Sequence, residues 1–235
     1  MSKRKPTPFG VTWPYRLRRG HSDDPSEGAC AMDAVNWLVH GQHGDEPACA
    51  CPLIGCFVIR GNDGMPPKVR QNLLTYLPRI AGSRSPEHAP ARLRMMVLAA
   101  ARVFAAAAMD AARLPAEAAR LRAIPDDASY QDIRDYAART LLAPRCLNVA
   151  WRSASDAAAA AEWACEWENS VPTSWREAAA YAAAAASPLW TTYFLVLDAV
   201  LAAGPQGEPW SADATERAVS AFVGAGGIAK LLTTA

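Results

Sequence analysis

The feature that most constrains how this chain can fold is the alanine-rich sequence that follows Met65 and includes the low-complexity runs 157–161 and 182–186. Alanine is the best helix former, and its small side chain lets neighbouring helices approach closely. Beyond the first 20 residues the chain has no run of alternating β-branched residues, the pattern that indicates a strand. The sequence therefore predicts an all-α fold, a multi-helix bundle of about nine or ten helices.

The composition allows a sizeable core and also indicates how that core is built. Hydrophobic residues make up 51% of the 235 residues, and many of them are alanine. Because alanine buries little area per residue, such a core depends on close helix contacts, with larger side chains filling the gaps. The eight tryptophans suit that need.

Capping residues and prolines predict where helices begin and end. Asp24 is a candidate N-cap, with Pro25 at the first helical position and Glu27 placed to complete a capping box, so a first helix is expected from there to Gly41. Asp63 is expected to cap a later helix that Pro66 opens. Further helices are predicted at 52–62, 66–77, 91–113, from 115, at 129–142, 144–168, 171–187, 189–203 and 211–223.

Residues 1–20 predict a flexible basic N-terminal arm, because they hold several prolines and glycines and six basic side chains without an acid. Its aromatic residues could dock on a partner or on the protein's own body. The candidate partner-binding residues are Lys3, Arg4, Lys5, Trp13, Arg16, Arg18 and Arg19. Residues 21–80 are expected to form a helical subdomain containing cysteines and histidines. A linker over 81–90 opens an alanine-rich bundle over 81–235, unless the two parts form one continuous domain.

Charge is unevenly distributed along the chain, although the formal net charge is only +1. Residues 60–122 carry eleven basic and four acidic side chains, whereas residues 145–216 carry three basic and nine acidic ones. Such asymmetry can orient a partner or a second copy of the chain, and it also fits long helices that each keep a solvated charged face.

No targeting or membrane-spanning segment is expected. The basic start is followed by proline and glycine and not by the apolar run of a signal peptide. The most apolar window, 189–203, contains Asp198 and is shorter than the roughly 20 residues that a bilayer crossing needs. We therefore expect a cytoplasmic protein without a membrane role, whose six cysteines stay reduced.

Four of the six cysteines and two of the four histidines fall in one segment near the N-terminus. Cys30, Cys49 and Cys51, joined by His43 or Cys56, would give four soft ligands of the kind that zinc binds in tetrahedral geometry. The spacing of Cys49 and Cys51 is less typical of zinc than C-x2-C, and a free cysteine among apolar residues behaves as a small hydrophobe. Zinc is the candidate cofactor, and core cysteines or a reactive thiol are the alternatives.

The same loop offers residues for acid–base or nucleophilic chemistry. His43 beside Asp45 could transfer protons, and it could activate Cys49, although a solvated polar loop explains these residues too. Glu162 and Glu166 lie one turn apart on a predicted helix, but a di-metal carboxylate bundle also needs Glu-x-x-His, and all four histidines come earlier. The chain has no recognisable helix-turn-helix, phosphate loop, G-x-S-x-G, H-E-x-x-H or dinucleotide-binding fingerprint, so no catalytic residue is predicted.

Residues 28–63 resemble a segment found in proteins of actinobacteria and bacteriophages, which reads roughly G-x-C-x-M-[ED]-A, then G, then D-x-P-x-C-x-x-P. The matching residues are Gly28, Cys30, Met32, Asp33, Ala34, Leu38, Gly41, Asp45, Pro47, Cys49, Pro52 and Leu53. The family has no assigned activity, so the resemblance implies a bacterial or bacteriophage origin and no mechanism.

The function most consistent with these patterns is non-enzymatic. We expect a macromolecular-interaction protein, such as a phage-encoded inhibitor or accessory factor, that binds a partner protein through its basic arm. The alternatives are a nucleic-acid-associated protein with a small zinc site, since Lys, Arg and interleaved aromatic residues suit phosphate contact and stacking, and a small enzyme that uses His43, Asp45 and Cys49.

Overall fold

The computed structural model describes residues 13, 15–20, 24–40, 43–141, 148–165 and 174–203. Its α-helices are α1 (Ala31–His40), α2 (Pro52–Gly64), α3 (Pro67–Arg70), α4 (Leu77–Ala81), α5 (Ala89–Ala99), α6 (Ala106–Ala111), α7 (Pro115–Arg122), α8 (Tyr130–Thr140), α9 (Asn148–Cys165), α10 (Ser174–Ala184) and α11 (Trp190–Ala202). Within these ranges there is no strand, only an isolated parallel bridge between Leu17 and Ala29. The predicted all-α multi-helix fold is confirmed.

Several helix boundaries follow the signals in the sequence. α2 begins at Pro52 and α7 at Pro115, where the proline's missing N–H costs no intrahelical bond. At the start of α8, the Ser129 hydroxyl accepts a bond from the Asp132 N–H at 3.1 Å, and the Asp132 carboxylate accepts one from the Ser129 N–H at 3.2 Å. This is the predicted capping box.

The first helix begins later than predicted, and Gly28 is the reason. Asp24 accepts a bond from the Ser26 N–H at 2.8 Å and starts only a 3₁₀ turn over Pro25–Glu27. Gly28 then adopts a φ of +99°, which interrupts the helical path, and α1 starts at Ala31. A Cβ at position 28 would lie 2.8 Å from the Arg16 carbonyl oxygen, so only glycine fits this approach.

The long helix predicted at 91–113 is continuous but contains an irregular turn. α5 passes directly into a π-helical turn, Ala100–Ala105, and then into α6. Every residue of that turn is buried, including Arg102, whose guanidinium pairs with Asp126 in the α7–α8 loop. The segment predicted as one helix at 66–77 is instead divided into α3, a 3₁₀ turn over Gln71–Thr75, and α4.

Alanine forms much of the core, as the composition requires. α10 packs on α9 and on α2, and α9 also packs on α8. The alanines on these facing surfaces are fully buried, for example Ala157, Ala161 and Ala182. Larger side chains fill the centre, where Phe57 of α2 stacks on Tyr193 of α11 with ring centroids 4.7 Å apart. Buried residues on both sides of residues 81–90 belong to one hydrophobic cluster.

Some sequence predictions fall outside the described residues. These are the N-terminal basic residues Lys3, Arg4 and Lys5, the start of the helix predicted from Pro144, Glu166, and the final helix predicted at 211–223. Among the described helices, none is both long enough and apolar enough to cross a membrane.

Candidate functional site

The part of the basic arm that the structure describes is docked on the helical body. The Leu17 N–H donates to the Gln71 side-chain oxygen at 3.0 Å, and the Gln71 amide donates back to the Leu17 carbonyl at 2.8 Å. The Arg18 N–H donates to the Ala29 carbonyl at 2.9 Å. Residues 15–20 therefore do not form a free arm, because hydrogen bonds fix their backbone to the loop before α1 and to the Gln71 side chain after α3.

The C-terminal end of α2 holds the next part of the arm. The Asn62 side-chain amide donates to the Arg18 carbonyl at 2.9 Å, and the Gly20 N–H donates to the Asp63 carboxylate at 3.1 Å. Asp63 was expected to cap the following helix, but α3 has no side-chain cap and Asp63 binds the arm instead. These bonds fix the backbone on both sides of Arg19.

The predicted partner-binding residues within the described part of the arm occupy different environments. Trp13 is only 6% exposed and belongs to the hydrophobic core. Arg18 pairs with Glu27 at 3.6 Å. Arg16 and Arg19 are exposed. Docking of the arm thus leaves two of its described residues, Arg16 and Arg19, with their charge directed to solvent.

Most arginines of the basic region 60–122 have structural roles. Arg70 and Arg92 are buried and donate to backbone carbonyls, including that of Asn62 at 2.6 Å and that of Ser83 at 2.6 Å. Others pair with carboxylates or bind loop carbonyls; they are Arg79, Arg84, Arg94, Arg102, Arg120 and Arg122. Most of the arginines that make region 60–122 basic therefore hold helix ends and loops together.

Three other arginines line a separate feature, a cleft of about 480 Å³ between the docked arm and four helices. Arg19 comes from the arm, Arg60 from α2 and Arg152 from α9, and all three are exposed. We call this feature the arginine cleft. Its other lining residues are Asp63, Gly64, Val149, Ser153, Asp156, Ala183, Ala184, Ser187, Pro188 and Trp190.

The three guanidiniums of the arginine cleft have no ion pair or hydrogen bond of their own in the structure as described. The Asp156 carboxyl lies close enough to Arg60 and Arg152 for electrostatic attraction between them. Burial raises the pKa of the Asp156 carboxyl, and the two nearby guanidiniums partly oppose that rise. The formal charge of the cleft is three positive and two negative side chains, a net +1.

The dipoles of the helices that end at the arginine cleft contribute little to its electrostatic potential. The starts of α9 and α11 border it, and so do the ends of α2 and α10. The positive ends of two helix dipoles thus face the negative ends of two others, and their fields largely offset one another. The side chains of Arg19, Arg60 and Arg152 therefore decide what the cleft attracts.

The cysteines predicted as zinc ligands lie mainly in apolar surroundings. Cys30 and Cys51 are buried, and Cys49 and Cys56 are partly buried. Burial raises the pKa of the Cys30 thiol to about 12 and that of Cys56 to about 11, which disfavours the thiolate that a metal requires. In the part of the chain that the structure describes, no three His, Cys, Asp or Glu side chains come together as a metal site. The zinc site at Cys30, Cys49, Cys51 and His43 remains a prediction from the sequence.

The loop predicted to carry enzymatic chemistry is arranged around other contacts. The His43 Nε2 atom lies 3.8 Å from the Asp33 carboxylate, which is 1% exposed and also accepts the Gly44 N–H at 2.9 Å. Glu46 pairs with Arg176 of α10 at 2.7 Å. His43 is thus held beside Asp33 of α1, a partner that the sequence analysis did not assign to it.

A second cavity lies beside this loop and is much smaller. It has a volume of about 110 Å³, and its lining includes Met32, Cys56 and the Glu46–Arg176 pair. The arginine cleft, at about 480 Å³, is roughly four times as large. The arginine cleft is therefore the better candidate for a binding site.

Sequence reasoning identified one of the three arginines of the cleft. Arg19 stands out in the basic arm, whereas Arg60 and Arg152 are single basic residues on two helices that are distant in sequence. Only the packing of α10 between α2 and α9 brings those helices to a common edge. No motif in the sequence signals that convergence.

Comparison with known proteins gave no match to a protein-family model, to a curated protein or to a solved structure.

Proposed function

We propose that this protein is a non-enzymatic interaction protein, of the inhibitor or accessory-factor kind, that binds an acidic segment of a partner protein at the arginine cleft. The observation that supports the proposal is that Arg19, Arg60 and Arg152 line one cleft and form no ion pair within the described residues. Most arginines of region 60–122 contact carboxylates or backbone carbonyls instead.

The chemistry of the guanidinium group favours such a partner. Each group presents a planar fork of donors that matches a carboxylate, and charge-assisted bonds of this type are about twice as strong as neutral ones. Arginine is also enriched at the energetic centres of protein interfaces. Because backbone bonds hold the arm on both sides of Arg19, that residue loses little backbone freedom when it binds.

The test is to purify the tagged chain from its natural host cells, once with nuclease and once without. The chain that combines Arg19→Gln, Arg60→Gln and Arg152→Gln is purified in parallel. Arg139→Gln serves as the matched control, because Arg139 is an exposed helical arginine outside the cleft. We expect a stoichiometric protein with wild type and with the control, and its loss with the triple variant.

Two other outcomes would overturn the proposal. A partner retained by the triple variant would show that binding uses another surface. Nucleic acid in place of a protein, or a partner lost on nuclease treatment, would favour the alternative of a nucleic-acid-associated protein. In that case affinity falls steeply with salt, because phosphate contacts release counterions.

A further inference from the structure

We propose that the arginine cleft is a binding site for a phosphate monoester, presented either by a small phosphorylated molecule or by a phosphorylated side chain of a partner. This inference rests on the proposed function only in using the same three arginines, and it goes further by naming the chemical group that they recognise. Its support comes from the number of donors, the charge and the shape of the cleft.

The number of donors favours a phosphate over a single carboxylate. Arg19, Arg60 and Arg152 line the cleft, and each of their guanidiniums carries five N–H donors. A carboxylate has two oxygens in one plane and a single charge, whereas a phosphate monoester offers three terminal oxygens arranged tetrahedrally and a charge near −2. Arginines on three separate elements can approach such a group from three directions.

Protonation of Asp156 can raise the net positive charge of the cleft when a doubly negative ligand binds. With both carboxylates ionised, the arginine cleft carries a net +1, and with Asp156 protonated it carries +2. Burial already raises the pKa of Asp156, and a bound anion would raise it further by adding a nearby like charge. Asp63 remains fixed by bonds from the Gly20 N–H and the Asn62 amide. Asp156 is therefore the group that limits anion affinity.

The size and lining of the cleft indicate an organic ester and not phosphate alone. Its volume of about 480 Å³ lies in the range of small-molecule sites, roughly 300 to 1,000 Å³. Val149, Pro188 and Trp190 give part of the lining an apolar surface. The arginines can hold the phosphate while this surface contacts the carbon skeleton that carries it.

The experiment is a calorimetric titration of the full-length chain with O-phosphoserine, phenyl phosphate, inorganic phosphate, sulfate and serine. We expect saturable binding of the two monoesters, weaker binding of inorganic phosphate and sulfate, and none of serine. Arg60→Gln or Arg152→Gln should each weaken monoester binding about tenfold, the effect of losing one charge-assisted contact. Arg139→Gln should leave binding unchanged.

A second variant separates a binding role from a folding defect. Asp156→Asn removes the negative charge that opposes the ligand, so it should tighten monoester binding, and a misfolded protein cannot show that gain. A phosphorylated peptide with a much higher affinity than phosphoserine would identify the source as a partner side chain, whereas equal affinity would favour a small molecule.

The outcomes that overturn the inference are distinct from those that overturn the proposed function. Monoesters that do not bind, or that bind no better than sulfate, would exclude phosphate recognition. Equal affinity for inorganic phosphate and the monoesters would make free phosphate the ligand. If a partner protein still co-purified through the same arginines, the proposed function would stand and the recognised group would be a carboxylate.

Discussion

At the scale of single residues, the thiols show that burial decides how readily a cysteine ionises. Cys30 is 5% exposed, and its sulfur accepts a weak bond from the Asp33 N–H at 3.3 Å. That bond favours the thiolate, but the loss of solvation on burial outweighs it and raises the pKa of Cys30 to about 12. Cys49 is more exposed, and burial raises its pKa to a smaller degree.

We therefore predict that Cys30 resists alkylation while the protein is folded. Because the thiolate is the nucleophile, a raised pKa leaves almost none of it at pH 8, and burial blocks the reagent as well. Treatment with iodoacetamide at pH 8, followed by peptide mass spectrometry, should show Cys49 reacting well before Cys30. In urea the two should react at similar rates. Native Cys30 that reacts as fast as Cys49 would contradict this assignment.

At the scale of helices, the contact between α2 and α11 depends on a glycine. Tyr193 is fully buried, stacks on Phe57 and donates its hydroxyl proton to the Phe57 carbonyl at 3.0 Å. A Cβ at Gly61 would lie 2.5 Å from the Tyr193 Cζ atom, well inside contact distance. The tyrosine ring is rigid and enclosed, so it cannot move aside without disturbing the core.

Gly61→Ala should lower the free energy of unfolding by about 1 to 3 kcal/mol, the usual cost of overpacking. Gly82→Ala is the matched control, because a Cβ there would meet only the Pro78 carbonyl oxygen, at 3.9 Å, and the backbone φ of −92° suits alanine. Urea unfolding followed by circular dichroism measures both variants. Equal stability of the two variants would show that α11 can shift away from α2.

The docked arm gives a second prediction at this scale. Asp63→Ala removes the acceptor for the Gly20 N–H, so the peptide bond after Arg19 should become more accessible. Limited trypsin digestion, read by mass spectrometry at that bond, should be faster in the variant than in wild type. Asp127→Ala, in an exposed turn elsewhere, is the control and should leave the rate unchanged. An unchanged rate in Asp63→Ala would mean that Asn62 and Gln71 suffice to hold the arm.

Helix boundaries that depend on local signals could be predicted from the sequence, whereas those that depend on distant contacts could not. Ser129 with Asp132, and the prolines at the starts of α2 and α7, act within one helical turn, so their pattern predicts the boundary. Gly28 interrupts a plausible capping signal because the Arg16 carbonyl passes close to it. That approach depends on the arm docking against Gln71, which no local pattern reveals.

The same distinction applies to the candidate site. The basic arm could be read from composition, and Arg19 was among its predicted contact residues. Asp63 looked like a helix cap because capping is the commonest local role for an aspartate before a proline-led helix, but its partner, Gly20, is far away in sequence. The contribution of Arg60 and Arg152 depends on helix packing alone.

At the scale of the whole molecule, two groups among the described arginines have different surroundings. Buried and paired arginines hold loops and helix ends, while Arg19, Arg60 and Arg152 surround a cleft without partners of their own. Asp63 and Asp156 offset two of the three positive charges, so the cleft keeps a net charge of +1 that is free to attract an anion. The proposed function requires that these three arginines serve binding and not the fold.

Urea unfolding of the chain that combines Arg19→Gln, Arg60→Gln and Arg152→Gln, in buffer without phosphate, tests that claim most directly. Because these exposed arginines form no ion pair among the described residues, their removal should leave the free energy of unfolding within about 0.5 kcal/mol of wild type. A loss of more than about 2 kcal/mol would instead show that the arginines have structural partners in the folded protein, and it would contradict the account.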